Sequence, residues 1–141
     1  MSEPKTVAIV GTGLIGCAWA AIFARAGWLV RLTDPHGPTL DAAKQRIADE
    51  LRGLARHGLC DDPDGAAKRL TVARDLADAV TGVSFVQENG PEKIENKIAI
   101  FKELDRLAPP GAILASSTSA IVASRFTENL PGRARCLVGH P

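Results

Sequence analysis

No run of basic or acidic residues unbalances this sequence, in which 17 Lys and Arg stand against 16 Asp and Glu for a formal net charge of +1. Without a Lys/Arg block there is no electrostatic claim on nucleic acid or an anionic membrane, and small molecules are the expected partners. Cysteine is scarce. Cys17, Cys60 and Cys136 are odd in number and far apart, with no C-x-x-C pair and no His at zinc-ligand spacing, which argues against a disulfide framework or a metal site. Cys17 and Cys136 lie in apolar stretches and read as small core residues, and reducing cytoplasm is the expected compartment. Repeats, low-complexity tracts and linkers are also lacking, and 141 residues fit one domain, 1–141.

One long uncharged run needs an explanation, because Val7 to Ala24 is flanked by Lys5 and Arg25 in the manner of a signal peptide or membrane span. Glu3 in the would-be basic flank, and Thr12 with three glycines inside the run, contradict that reading. Instead, Thr6 to Val10 is a β-branched apolar run that stops at glycine, as a buried parallel strand does. Leu14 to Ala26 is helix former ending at Gly27, and Trp28 to Thr33 is a second strand ending at Asp34-Pro35. Together they make a βαβ unit.

Further along, Leu40, Ile47, Leu51 and Leu54 predict an exposed amphipathic helix over 39–57, and the polar stretch 60–68 predicts a loop with a second helical arm. Lys44, Arg46, Arg52 and Arg56 on this helix read as a solvated face. Asp75 caps a short helix to Val80, Val83 to Gln87 is a strand, and a helix opens at Pro91. Two more strands are expected at 112–115 and 134–138. The fold class is therefore α/β: a doubly wound, mostly parallel Rossmann-type sheet with a protruding helical arm.

Within the βαβ unit, Gly11-x-Gly13-x-x-Gly16 follows a buried strand and opens a helix. Gly11 makes the tight turn, Gly13 admits backbone close to a pyrophosphate, and Gly16 lets helix pack on strand. The amides at Leu14 and Ile15 then face the phosphates at the positive end of the helix dipole. Asp34 stands 18 residues past Gly16, where a ribose-binding acid is expected, and Pro35-His36-Gly37 offers no Arg for a 2′-phosphate. The expected cofactor is NAD rather than NADP.

Four stretches carry a resemblance: Val7 to Ala20 with Trp19, Val86-Gln87-Glu88-x-x-Pro91-Glu92, Ala115-Ser116-Ser117-Thr118-Ser119, and Val138-Gly139-His140-Pro141. In this order they resemble the NAD-binding domain of the 3-hydroxyacyl-CoA dehydrogenase family, most closely its lambda-crystallin and L-gulonate 3-dehydrogenase branch. The resemblance implies that Asn89, Glu92, Lys97 and Ser117 serve the nicotinamide side of NAD. It also implies that Ser119 meets the substrate's 3-hydroxyl and that His140 is the catalytic base, a task suited to imidazole near neutral pH. Ser117 replaces an Asn common among acyl-CoA members. His36, beside the ribose site, and His57, on the exposed helix, are not comparable candidates.

The expected activity is NAD-dependent oxidation of the 3-hydroxyl of an L-3-hydroxy acid or 3-hydroxyacyl-CoA. The alternative is a non-catalytic NAD(H)-binding or crystallin-like structural module. In the family the histidine is held by a glutamate and aided by an asparagine, both further along the chain, and a helical second domain closes the site and forms a homodimer. The sequence is therefore expected to be the cofactor half of a longer enzyme.

Overall fold

The computed structural model describes residues 2–141. Six strands form one sheet: β1 (Thr6–Val10), β2 (Leu29–Thr33), β3 (Leu70–Val72), β4 (Phe85–Glu88), β5 (Ile113–Ser116) and β6 (Cys136–Val138). Their order is β3-β2-β1-β4-β5-β6 and every pairing is parallel. The chain moves outward from β1 to β3 and then returns to the other side of β1 at β4. That reversal opens a crevice at the carboxyl ends of β1 and β4, the place where open α/β sheets bind ligands.

Each sheet face owns a core because β1 residues alternate sides. Val7 and Ile9 pack with α1 (Leu14–Arg25), α2 (Gly37–Arg56) and α3 (Pro63–Ala67), where Cys17, Ala20, Ala24, Ala43, Ile47 and Leu51 are buried. Ala8 and Val10 face α4 (Leu76–Val80), α5 (Ile94–Leu107) and α6 (Ser124–Thr127), where the rings of Phe101 and Phe126 meet at a tilt with centroids 4.7 Å apart. Cys17 and Cys60 are buried and Cys136 half-buried, all three as free thiols.

Several expected boundaries move. The helix expected over 39–57 starts at Gly37 because His36 caps it, its ring nitrogen accepting from the Thr39 amide, with Pro38 in the first turn. The expected arm is α2 with α3, and it is less exposed than its charges suggest: Ala43, Ile47 and Leu51 form a fully buried stripe. The fifth helix begins at Ile94 rather than Pro91, because the Lys93 amide bonds the Pro91 carbonyl and the chain stays extended at Lys93. The last strand is shortened to Cys136–Val138 by a 3-10 turn over Arg133–Arg135. As expected, Asp75 caps α4, its carboxylate accepting from the Asp78 amide. Among the described residues no helix is long and apolar enough to cross a membrane.

Candidate active site

The glycine loop is fixed by contact. Gly11 has φ +91°, and a Cβ there would lie 2.9 Å from the Asn89 carbonyl oxygen. At Gly16 a Cβ would lie 1.9 Å from the Gly11 carbonyl oxygen, so only glycine lets α1 approach the turn. Gly13, in contrast, faces open space. It also caps α1 without a side-chain bond, and no acid stands in the first turn. The helix therefore keeps free amides and an uncompensated dipole at its amino end, which suits an anion.

Asp34 sits beside this loop. Its Oδ2 accepts from the Thr12 amide (2.7 Å) and the Thr12 hydroxyl (3.1 Å), and its Oδ1 accepts from the His36 amide (2.8 Å). A carboxylate offers about four acceptor positions, so capacity for a ribose hydroxyl remains after these three. Thr12, completely buried, carries no site signal in the sequence, yet its hydroxyl and amide fix the rotamer of the acid.

Two clefts meet at Asn89–Gly90. The larger, about 530 Å³, runs past Gly11, Gly13, Asp34 and His36. The smaller, about 290 Å³, is lined by Ile15, Glu92, Lys97, Ser117, Ser119 and His140 together with the shared pair. The site residues expected from the sequence thus divide between two ends of one crevice. Leu14 and Ile15 are exposed at the start of α1 between them.

Their side chains are occupied in different ways. Glu92 lies before the helix rather than in its first turn, and its carboxylate accepts from the Thr118 hydroxyl, the Ser119 amide (3.0 Å) and the Ser119 hydroxyl (3.1 Å). The Thr118 and Ser119 donors hold its carboxyl below the usual 4.5. Lys97 borders the cleft but is not a solvated charge: it is 2 % exposed, and its Nζ donates to Glu88 Oε1 (2.9 Å), Glu88 Oε2 (2.8 Å) and the Gly90 carbonyl (3.1 Å). All three of its donors are used within the protein. Asn89 donates its amide to the Gln87, Gly11 and Val10 carbonyls and accepts from Ser117. His140 is exposed at the end of the chain segment following β6.

Sequence reading missed the support beneath the crevice. Glu88, 1 % exposed, accepts from Lys97, from the Ser116 hydroxyl (2.6 Å) and from the Gly90 amide, so the turn between the clefts is tied to a buried ion pair. The available signal was Gln87-Glu88, two polar residues closing an apolar strand at its carboxyl end.

Comparison with known proteins gives the family. The family described as 3-hydroxyacyl-CoA dehydrogenase, NAD binding domain, matches residues 6–141. The chain belongs to that family. A lambda-crystallin homolog from Bos taurus is 38 % identical over 99 % of the chain and 44 % of its own length. An L-carnitine dehydrogenase/betainyl-CoA thioesterase from Ruegeria pomeroyi is 37 % identical over 96 % of the chain and 28 % of its own length. Among solved structures, 3-hydroxybutyryl-CoA dehydrogenase from Escherichia coli K12 superposes with a TM-score of 0.88 at 27 % identity, over 99 % of this chain and 30 % of that one. FadB2 of M. tuberculosis gives 0.88 at 32 % identity, over 99 % and 50 %. The chain spans less than half the length of both curated relatives. NAD is the cofactor of this domain family, and the uncapped α1 with its open Gly13 and the adjacent Asp34 fit a dinucleotide pyrophosphate and ribose.

Proposed function

We propose that this chain is the cofactor-binding part of a cytoplasmic NAD-dependent oxidoreductase that converts the 3-hydroxyl of an L-3-hydroxy acid or 3-hydroxyacyl-CoA to the 3-oxo compound. The observation that carries the reading is the single crevice with Gly13 and Asp34 at one end and Glu92, Ser119 and His140 at the other. Similar chains named L-carnitine dehydrogenase and 3-hydroxybutyryl-CoA dehydrogenase support it.

In this reading Asp34 accepts from an adenosine ribose hydroxyl and the α1 amides take the pyrophosphate. Bound nicotinamide supplies hydride acceptance. The exposed imidazole of His140 accepts the hydroxyl proton, while the Ser119 hydroxyl, which otherwise donates to Glu92, turns its proton to the substrate oxygen. Asn89, Lys97 and Ser117 shape the nicotinamide end. A homodimer formed through sequence outside this chain belongs to the same proposal.

The test has two stages. The chain should enhance NADH fluorescence, and a polypeptide extending it to the length of its relatives should reduce NAD with 3-hydroxy acids or their CoA thioesters. His140→Gln should then abolish turnover and leave NADH affinity intact. Turnover indifferent to His140, or absent across both substrate classes, favours instead a binding or crystallin-like module.

A further inference from the structure

The residue carrying the imidazole follows a short edge strand of the sheet. β6 has three residues, pairs with β5 alone, and leaves Leu137 and Val138 partly exposed at the edge. Past its end, the Gly139 amide continues the ladder by donating to the Ser116 carbonyl at 2.9 Å. The next peptide, whose carbonyl belongs to Gly139 and whose amide belongs to His140, lies beyond strand pairing. Among the described residues one side-chain hydrogen bond reaches it: Gln87 Nε2 donates to the Gly139 carbonyl oxygen at 3.0 Å.

Gln87 is not adjacent to β6. It lies on β4, in register with Ala115 of β5, which in turn pairs with Leu137 of β6. The side chain therefore crosses over β5 at a position where the intervening residue is alanine, and it is 1 % exposed as it does so. A buried amide nitrogen that makes such a crossing is costly unless satisfied, and this one donates twice. Its Nε2 also donates to the Ser117 hydroxyl at 2.6 Å.

The orientation of this junction is over-determined. Ser117 Oγ accepts from Gln87 and from Trp19 Nε1 (3.0 Å), and donates to Asn89 Oδ1 (2.6 Å). Asn89 in turn donates Nδ2 to backbone carbonyls, which accept only, so its amide cannot be turned around. A hydroxyl with one proton and two lone pairs has nothing left after these three bonds. Ser117 is thus spent within the protein although it lines the cleft.

We propose that Gln87 is a positioning residue that sets the Gly139–His140 peptide against the nicotinamide end of the crevice, with Ser117 and Trp19 holding its amide in place. Ser117 acts through this junction rather than by bonding the cofactor. The proposal rests on the reading of His140 as proton acceptor. It explains why a short edge strand can present an imidazole in a fixed place.

Gln87→Met keeps the length of the side chain and removes the donor. In the chain, it should displace the backbone amide resonance of His140, which shares a peptide unit with the Gly139 carbonyl, while changing NADH affinity by less than about twofold. In the extended polypeptide kcat should fall about ten- to a hundredfold with KM for NAD nearly unchanged, the signature of misplacing a reacting group. An unmoved His140 amide together with kcat within about twofold of the parent overturns the proposal. Should Gln87→Met not fold, Trp19→Phe, which keeps a ring beside Phe23 and removes the N–H held by Ser117, must move the same resonance, and no movement overturns it. If His140→Gln leaves turnover intact, the catalytic reading fails, whereas the resonance still decides whether Gln87 holds the peptide.

Discussion

Replacing Lys97 by methionine tests how the turn between the two clefts is held. The ammonium is 2 % exposed and the Glu88 carboxylate 1 %, and they meet at 2.8 and 2.9 Å. Removing the cation leaves a carboxylate out of water with only the Ser116 hydroxyl and the Gly90 amide as donors. Breaking a buried pair from one side costs about 3–5 kcal/mol, a large share of the roughly 5–15 kcal/mol that stabilises a domain. Adding Glu88→Gln removes the stranded charge and keeps an acceptor for one of the two donors, so the double variant should be more stable than Lys97→Met alone. The non-additivity should be about 2 kcal/mol or more. Urea unfolding followed by the fluorescence of Trp19 and Trp28 measures all four proteins, provided the slopes agree. A loss below about 1 kcal/mol for Lys97→Met, the worth of a solvated pair, would refute the reasoning, as would strict additivity.

Three other outcomes follow from the site. Gly16→Ala forces a methyl to within 1.9 Å of the Gly11 carbonyl oxygen, so the chain should lose about 1–3 kcal/mol and weaken NADH binding more than thermal stability alone explains, read by melting and fluorescence titration. Asp34→Arg should weaken NADH by about tenfold or more and improve NADPH relative to it; unchanged NADH affinity would remove Asp34 from the site. Glu92 has a folded value below its ordinary 4.5, so its contribution to stability is present above that value and is lost as pH falls through the lowered one. Glu92→Gln should therefore flatten the acid limb of the stability profile, and an unchanged limb would show the Thr118 and Ser119 bonds to be idle.

The parts legible in the sequence are those set by local sterics. A glycine that must turn, a glycine that must let a helix approach, and an acid at the end of the next strand are each defined by neighbours close along the chain, and Gly11, Gly16 and Asp34 stand where the pattern puts them. The family resemblance added the order of the later motifs. What stayed hidden depends on partners far along the chain. Lys97 and Glu88 look like surface charges until β4 and α5 are packed, and Gln87 gains its meaning only when β6 lies two strands away. The four-residue α6 and the 3-10 turn before β6 are too short to leave a periodic signal.

Hydrogen-bond capacity separates the two ends of the crevice. Asp34 retains acceptor capacity after meeting Thr12 and His36, and the α1 amides are uncapped, so the Asp34 end is built around bonds still to be made. At the other end Ser117, Asn89 and Lys97 have their donors occupied within the protein, and they define shape more than they offer contacts. The unsatisfied chemistry there narrows to Ser119, which donates to Glu92 and keeps its lone pairs, and to the exposed ring of His140. A substrate hydroxyl, with one proton for the imidazole and lone pairs for the Ser119 proton when it turns from Glu92, is the group that such a pair can select. On that ground the specificity for the rest of the substrate must come from surfaces that face this end of the crevice rather than from the polar residues lining it.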